Sequence, residues 1–176
     1  MKKVVAYSRE MAQLKHVTHD VPFATVSIYT PPGYPAEIPK TEGDRKAYLK
    51  KYPGAQPPTF GKSENCKGIL PLGFFDLEHE VSGAIGKDLI LFDYNMAVQL
   101  KQFVDSVKDE IDLLVVHCDA GVSRSQAVRA VVLRTYLKQP DDIAFMEGVP
   151  NMLVYRRFLK VMLGFDPHKI QGPLFT

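Results

Sequence analysis

The strongest constraint on the fold is an apolar strand that runs directly into a glycine-containing turn and then a helix. Residues 113–116 are Leu-Leu-Val-Val, a continuous apolar run typical of a strand buried on both faces of a parallel sheet. The turn after Cys118 contains one glycine, Gly121, and apolar residues at helical spacing then continue to Leu137, before Pro140. A strand, a tight turn and a helix in this order form the basic unit of α/β domains.

The rest of the chain repeats this alternation of strands and helices. Strands are predicted at 4–7, 24–29, 69–75 and 113–116, and helices at about 96–107, 124–138 and 151–163. Asp93 or Asn95 could cap the first of these helices, and Asn151 the last. We therefore predict an α/β fold with a central, mostly parallel sheet flanked by helices.

Proline is concentrated in one region of the chain. Seven of the thirteen prolines fall between Thr30 and Cys66, where neither a helix nor a central strand could run through them. A short polar helix at 43–51 is the only regular element predicted there. We predict a single domain over residues 1–176, with a proline-rich loop or insertion at about 30–66.

Composition excludes several classes of protein. Lys and Arg total 22 and Asp and Glu total 20, a net charge of +2 that gives no strong case for binding nucleic acid or a membrane surface. Ser8, Arg9 and Glu10 interrupt the first apolar run, so a signal peptide is not expected. The two cysteines, Cys66 and Cys118, argue against a disulfide scaffold. We expect a cytoplasmic protein with no nucleic-acid or membrane partner, and the oligomeric state stays open.

The turn after the buried strand has the features of an anion-binding site. Its backbone N–H groups can converge, and the following helix adds the positive end of its dipole. Arg124 can hold two oxygens of a tetrahedral dianion, and Gly121 permits a close backbone approach. Cys118 at the floor of this cradle feels the same field, which favours the thiolate over the thiol. The pattern predicts a nucleophile beside a bound phosphate.

Residues 117–125, His-Cys-Asp-Ala-Gly-Val-Ser-Arg-Ser, resemble the H-C-x-x-G-x-x-R-[ST] signature of the cysteine-based protein tyrosine phosphatases. Chain length and short loops look most like the dual-specificity branch. The resemblance implies that Cys118 is the nucleophile and Arg124 the phosphate clamp, with no metal or cofactor. It also implies a phosphate cradle made by the backbone amides of Asp119, Ala120, Gly121, Val122, Ser123 and Arg124. We expect His117 to point away from the ligand and orient the loop, and Ser125 to donate to the sulfur.

The resemblance also requires an aspartic acid that protonates the leaving oxygen. Asp76 directly follows the predicted strand 69–75 and is our first choice. Asp88 is the second choice, although a solvated loop charge explains it equally well, and Asp93 is explained as a helix cap. Asp76 is farther from Cys118 than is common, and residues 81–87 have the character of a loop extension that accounts for the excess. Glu78 and His79 remain possible helpers.

These residues predict a phosphoric monoester hydrolase that acts on phosphotyrosine through a phosphocysteine intermediate. Phosphoserine and phosphothreonine stay open as further substrates, and the expected partner is a phosphorylated protein or peptide. Phosphatases of inositol phosphates and of RNA 5′ ends use similar loops, but Asp119 and Ala120 do not supply the lysines that would suit highly anionic inositides. A different alternative is a non-catalytic phosphate-binding module, a pseudophosphatase, with an intact cradle and no competent acid.

Cys66 and a zinc site are the remaining alternatives. Cys66 is expected to be a packing residue, and its other possible role is a disulfide with Cys118 under oxidising conditions. His117 and Cys118 are adjacent, and Cys66 is the sole other cysteine, so the spacing does not match a zinc site. We therefore expect no metal.

Overall fold

The sheet is the centre of the molecule. The computed structural model describes residues 1–31, 56–78, 89–140, 145–146 and 148–166, together with residues 43, 47 and 50. Within these residues, four strands form one sheet in which every pair is parallel. The strands are β1 (Lys3–Ser8), β2 (Phe23–Tyr29), β3 (Cys66–Gly73) and β4 (Leu113–Cys118), in the spatial order β1-β4-β2-β3. The predicted parallel sheet is confirmed, with boundaries shifted by up to three residues at the ends.

The two central strands are the most apolar because both of their faces are covered. Every residue of β4 is buried, as is every residue of β2 before Tyr29. Leu114 and Val116 join a large core beneath the helices, whereas Leu113 and Val115 join a smaller cluster on the opposite face. This alternation follows from the two-residue period of a strand. It places the side chains of His117 and Cys118 on opposite faces of the sheet.

Three predicted helices are present, and the first and last of them have the expected caps. They are α2 (Tyr94–Val107), α3 (Arg124–Thr135) and α4 (Met152–Met162). The Asp93 side chain accepts a hydrogen bond from Met96 N at 2.7 Å, and the Asn151 side chain accepts one from Val154 N at 3.0 Å. The helix α4 packs against both α2 and α3, and α3 packs on β1 and β4. The α3 helix ends at Thr135, three residues before the predicted end.

One helix was not predicted. It is α1 (Arg9–His16), which follows β1 directly and packs against β1 and β4. It is only eight residues long and mostly polar, and its buried residues are Ala12 and His16, so the sequence contains no long apolar stripe that would reveal it. The capping signal is present nonetheless, because the Ser8 side chain accepts a hydrogen bond from Met11 N at 3.2 Å.

Some predicted segments lie outside the described residues. They include most of the proline-rich region, the helix expected at 43–51 apart from residues 43, 47 and 50, which have helical backbone, and the loop extension at 81–87. The single-domain boundaries therefore stay a prediction. None of the helices in the described part of the chain is both long and apolar enough to cross a membrane.

Candidate active site

The carboxyl ends of all four strands meet at one edge of the sheet. Ser8, the last residue of β1, pairs with Cys118 at the end of β4, and β2 and β3 end beside each other at Tyr29 and Gly73. In open parallel sheets, ligands bind outside this edge. Residues that follow the four strands in sequence are therefore candidates for one site, even where they are far apart in the chain.

Cys118 forms the floor of the site. Its side chain is 2% exposed and lies at the start of the loop that connects β4 to α3. Gly121 N donates a hydrogen bond to Cys118 Sγ at 3.3 Å, and the Ser125 hydroxyl lies 3.2 Å from the same sulfur. Two polar groups therefore lie within hydrogen-bond distance of the sulfur, which is also beside the amino end of α3.

Gly121 is required by the shape of the loop. Its φ angle is +80°, a conformation that side chains rarely adopt. A Cβ atom there would lie 2.5 Å from Ser8 N and 2.6 Å from the Tyr7 carbonyl carbon, which are backbone atoms of β1. The loop is further held by the Gln126 amide, which donates to the Gly121 carbonyl oxygen at 3.0 Å. The loop is thus packed tightly against β1 and held by α3, which keeps its backbone N–H groups in place.

Arg124 is buried at the first position of α3. It is 4% exposed, and its Nη1 donates to the Phe74 carbonyl oxygen at 2.8 Å and to Thr30 Oγ1 at 3.1 Å. Its Nη2 donates to Asp119 Oδ2 at 2.7 Å. Arg124 Nε, by contrast, has no hydrogen-bond partner among the described residues. A buried guanidinium with an unused N–H is poised to bind an anion, because leaving that donor unpaired is costly.

Asp76 lies beside this guanidinium. Its Oδ2 is 3.7 Å from Arg124 Nε, and its Oδ1 accepts hydrogen bonds from Ser123 Oγ and from Asn151 Nδ2, both at 2.8 Å. Ser123 is the residue before α3, and its hydroxyl makes no capping bond to the helix. Asp76 is therefore held at the rim of the loop with one oxygen bound and the other facing Arg124.

Asn151 caps α4 and also holds Asp76. Its side-chain oxygen caps α4, while its side-chain nitrogen donates to Asp76 Oδ1 and, at 3.2 Å, to the Leu77 carbonyl oxygen. Its backbone N–H donates to the Ser123 carbonyl oxygen at 3.3 Å. One fully buried residue thus joins α4, the loop and the Asp76 segment.

Asp119 is a second carboxylate within the loop. Its Oδ2 accepts a hydrogen bond from Thr30 Oγ1 at 2.6 Å as well as the one from Arg124 Nη2. Its Oδ1 is 3.9 Å from Arg9 Nε, and its carbonyl oxygen accepts from Arg9 N at 3.2 Å. Asp119 therefore lies between two arginines, one at the start of α1 and one at the start of α3.

His117 faces away from the site, as expected. It is completely buried, its Nε2 lies 2.9 Å from Ser27 Oγ, and its ring contacts Phe60 with ring centroids 5.7 Å apart. Burial away from water lowers the pKa of His117 to about 4. The imidazole is therefore neutral at physiological pH, and it holds the end of β4 against β2.

The low pKa of His117 predicts a specific pH dependence of stability. An unfolded histidine takes up a proton below its ordinary pKa of 6.5, whereas the folded one resists protonation until about pH 4. His117 therefore contributes stability that is present above pH 6.5 and is lost as pH falls towards 4. Between pH 7 and 4.5, the free energy of unfolding should fall by about 2 kcal/mol more in the wild type than in His117→Gln.

Urea unfolding of both proteins across this pH range measures the difference. The comparison uses the change in the free energy of unfolding with pH, so a uniform loss of stability in the variant does not affect it. Parallel pH profiles for the two proteins would contradict the assignment.

The structure brings most of the predicted site residues together. Cys118, Arg124, Ser125 and the loop from Asp119 to Ser123 form one surface at the sheet edge, and Asp76 adjoins it. Glu78 lies close by, with Oε1 accepting from Met152 N at 3.4 Å. Asp88 and His79 lie outside the described residues.

Thr30 and Arg9 are site residues that the sequence did not reveal. Both directly follow strands, β2 and β1, and the strand order places those strands on either side of β4. The sequence signal that could have identified them is the position of a polar residue immediately after each of two strands that neighbour β4.

The hypothesis that Cys66 forms a disulfide with Cys118 is wrong. Cys66 and Leu113 both pair with Phe23 of β2, so Cys66 lies at the amino end of the sheet. Cys118 is at the other end of β4, about 16 Å away along a strand. A disulfide needs Cα atoms within about 7 Å, and both cysteines are free. Burial raises the pKa of the Cys66 thiol, which also disfavours a reactive role.

Comparison with known proteins identifies the fold. No family model matches the sequence, and no curated protein matches it significantly. Among solved structures, human DUSP28 aligns with a TM-score of 0.50 and 13% identity, over 91% of both chains. PTPMT1 aligns with a TM-score of 0.47 and 15% identity over 92% of both chains. The human tyrosine phosphatase-like serine/threonine/tyrosine-interacting protein aligns with a TM-score of 0.47 and 13% identity, over 88% of this chain and 82% of that one.

The predicted fold is confirmed by the similarity to human DUSP28. The four-stranded parallel sheet and its helices have the architecture of dual-specificity and tyrosine phosphatases. Because the sequence identity is low, the structural alignment establishes only the fold. Substrate and activity must be argued from the site.

Proposed function

We propose that this protein is a cysteine-dependent phosphatase that removes phosphate from phosphotyrosine, and also from phosphoserine and phosphothreonine where the side chain reaches the loop floor. The observation that carries the proposal is the pairing of Cys118 with Arg124. The sulfur lies at the base of the loop and accepts a hydrogen bond from Gly121 N, and Arg124 has an Nε–H that makes no hydrogen bond. A phosphoryl group held by the loop and by Arg124 would meet the sulfur in line.

The first step transfers the phosphoryl group to Cys118. The thiolate sulfur forms a bond to phosphorus as the bond from phosphorus to the substrate oxygen breaks. Arg124 and the loop amides stabilise the three equatorial oxygens, and Asp76 gives its proton to the departing oxygen. The dephosphorylated side chain leaves as a neutral alcohol or phenol.

The second step returns the enzyme to its starting state. The Asp76 carboxylate takes a proton from a water molecule whose oxygen attacks phosphorus, and the sulfur–phosphorus bond breaks. Ser125, 3.2 Å from Sγ, donates to the sulfur as it leaves as a thiolate. The products are inorganic phosphate and the protonated acid, ready for another cycle.

Replacing Asp76 by asparagine tests this assignment of the acid. We expect kcat/KM for a phosphotyrosine peptide to fall about 10²-fold, because the phenolate must leave without a proton. The fall in rate at high pH, where the wild-type acid has lost its proton, should disappear in the variant. The loss should be smaller for p-nitrophenyl phosphate, whose leaving group needs no proton.

The matched control is Asp109→Asn, which removes the same charge from an exposed position after α2. Wild-type and Asp76→Asn pH–rate profiles of the same shape would show that Asp76 is not the acid. No hydrolysis by the wild type, combined with tight binding of phosphate, would instead identify a non-catalytic phosphate-binding module. That second function is favoured only by Asp119, which already binds the Arg124 guanidinium.

A further inference from the structure

The Arg124 guanidinium is occupied by a carboxylate of its own loop. Its Nε–H and one N–H of Nη2 lie on the same edge of the planar group, the edge that binds two oxygens of a phosphate. In the structure, Nη2 donates to Asp119 Oδ2 at 2.7 Å, whereas Nε makes no hydrogen bond and has Asp76 Oδ2 at 3.7 Å. A phosphate that binds this edge bidentately must therefore replace the Asp119 carboxylate.

Asp119 cannot remain in place once the phosphate is bound. A carboxylate oxygen within hydrogen-bond distance of Nη2 would lie against the phosphate oxygens, and two anions at that distance repel each other. The nearby donor Thr30 Oγ1 also contacts Arg124 Nη1, so it offers the carboxylate no separate position.

Arg9 is the cation towards which Asp119 can move. Its Nε lies 3.9 Å from Asp119 Oδ1, just beyond hydrogen-bond distance, and its side chain is 16% exposed. The backbone hydrogen bond from Arg9 N to the Asp119 carbonyl oxygen keeps the two residues adjacent. Rotation of the Asp119 side chain alone would shorten the Arg9 contact and free Arg124 Nη2.

We propose that Asp119 is a specificity-determining residue, whose carboxylate occupies the Arg124 guanidinium in the free protein and moves to Arg9 when a phosphate monoester binds. This inference rests on the proposed function. Its consequence concerns the substrate class. A carboxylate retained at the rim disfavours substrates that carry a second anionic group beside the phosphate. The favoured substrate is a phosphorylated side chain flanked by neutral or basic residues, rather than an acidic phosphopeptide or a polyphosphorylated inositol.

Binding of inorganic phosphate to Cys118→Ser, measured by calorimetry, tests the displacement without turnover. Adding Asp119→Asn should tighten phosphate binding about tenfold, because the competing anion is removed. Asp119→Ala should do the same and guards against an effect specific to asparagine. The control is Asp112→Asn, which removes an equal charge at the amino end of β4, where Asp112 pairs with Lys2 at 3.0 Å.

Arg9→Gln supplies the second half of a double-mutant cycle. With Asp119 present, this substitution should weaken phosphate binding several-fold, since the displaced carboxylate has lost its receiving cation. In the Asp119→Asn background it should have no effect. Equal weakening in both backgrounds would mean that Arg9 contacts phosphate itself, and would overturn the displacement.

Peptide kinetics test the specificity. The wild type should prefer a phosphotyrosine peptide with neutral flanks over one with acidic flanks, and Asp119→Asn should reduce that ratio of kcat/KM values at least severalfold. An unchanged ratio, or a wild type that prefers inositol polyphosphates, would refute the inference while the phosphatase proposal survives. If Cys118→Ser binds no phosphate at all, the cradle itself and the proposed function both fail.

Discussion

Replacing Cys118 by serine is expected to lower the hydrolysis of an aryl phosphate by about 10⁴-fold or more while the protein stays folded. The reason is the surroundings of the sulfur. A thiol forms its anion far more readily than an alcohol does. Gly121 N and the Ser125 hydroxyl lie beside the sulfur, and neither group can remove a proton from a serine placed there. The adjacent His117 cannot serve as the base, because its ring points to Ser27 on the other face of the sheet.

Cys66→Ser is the matched control for this substitution. Cys66 lies at the amino end of β3, at the far end of the sheet from the loop, so its loss should leave kcat and KM within about twofold of the wild type. Rapid acid quench of the wild type during turnover should yield a phosphoryl group on the peptide that contains Cys118, and none on the peptide that contains Cys66. Substantial activity in Cys118→Ser, or label on Cys66, would contradict the mechanism.

The loop itself was predictable because its determinants are local in sequence. A buried strand, Gly121 and the first residues of α3 lie within one short segment, and each limits the conformation of the next. The orientation of His117 followed from the two-residue period of β4. Such features depend on backbone geometry, and they need no knowledge of what else packs nearby.

The partners of the loop were less predictable because they come from distant parts of the chain. Thr30 contacts Asp119 only because β2 lies beside β4 in the sheet. The sequences of the two strands do not specify that they are neighbours. Arg9 was missed for a related reason, since the helix that it begins buries little apolar surface. Asp76 was our first choice for the acid because it follows a predicted strand, but its contact with Asn151 depends on the packing of α4.

Replacing Arg124 by lysine is expected to lower kcat/KM about 10³-fold, although the positive charge is retained. The Arg124 side chain contacts Phe74, Thr30 and Asp119 through its two terminal nitrogens and still has Nε available for phosphate. A lysine ammonium is a single point of charge and cannot contact Phe74 and Thr30 and also bind two phosphate oxygens in one plane. Because the equatorial oxygens gain charge in the transition state, kcat should fall more than KM rises.

Arg156→Lys is the control, since Arg156 is exposed and its Nε donates only to the Met152 carbonyl oxygen of its own helix, at 3.0 Å. Activity of Arg124→Lys within about tenfold of the wild type would show that charge alone suffices, and that the planar guanidinium is not the clamp.

Adding Asp119→Asn to Arg124→Lys separates two possible reasons for a loss of activity. If the lysine is merely captured by Asp119, removing that carboxylate restores activity. If two-point binding of phosphate is required, the double variant stays about as slow as Arg124→Lys, because a lysine has no second donor in the same plane.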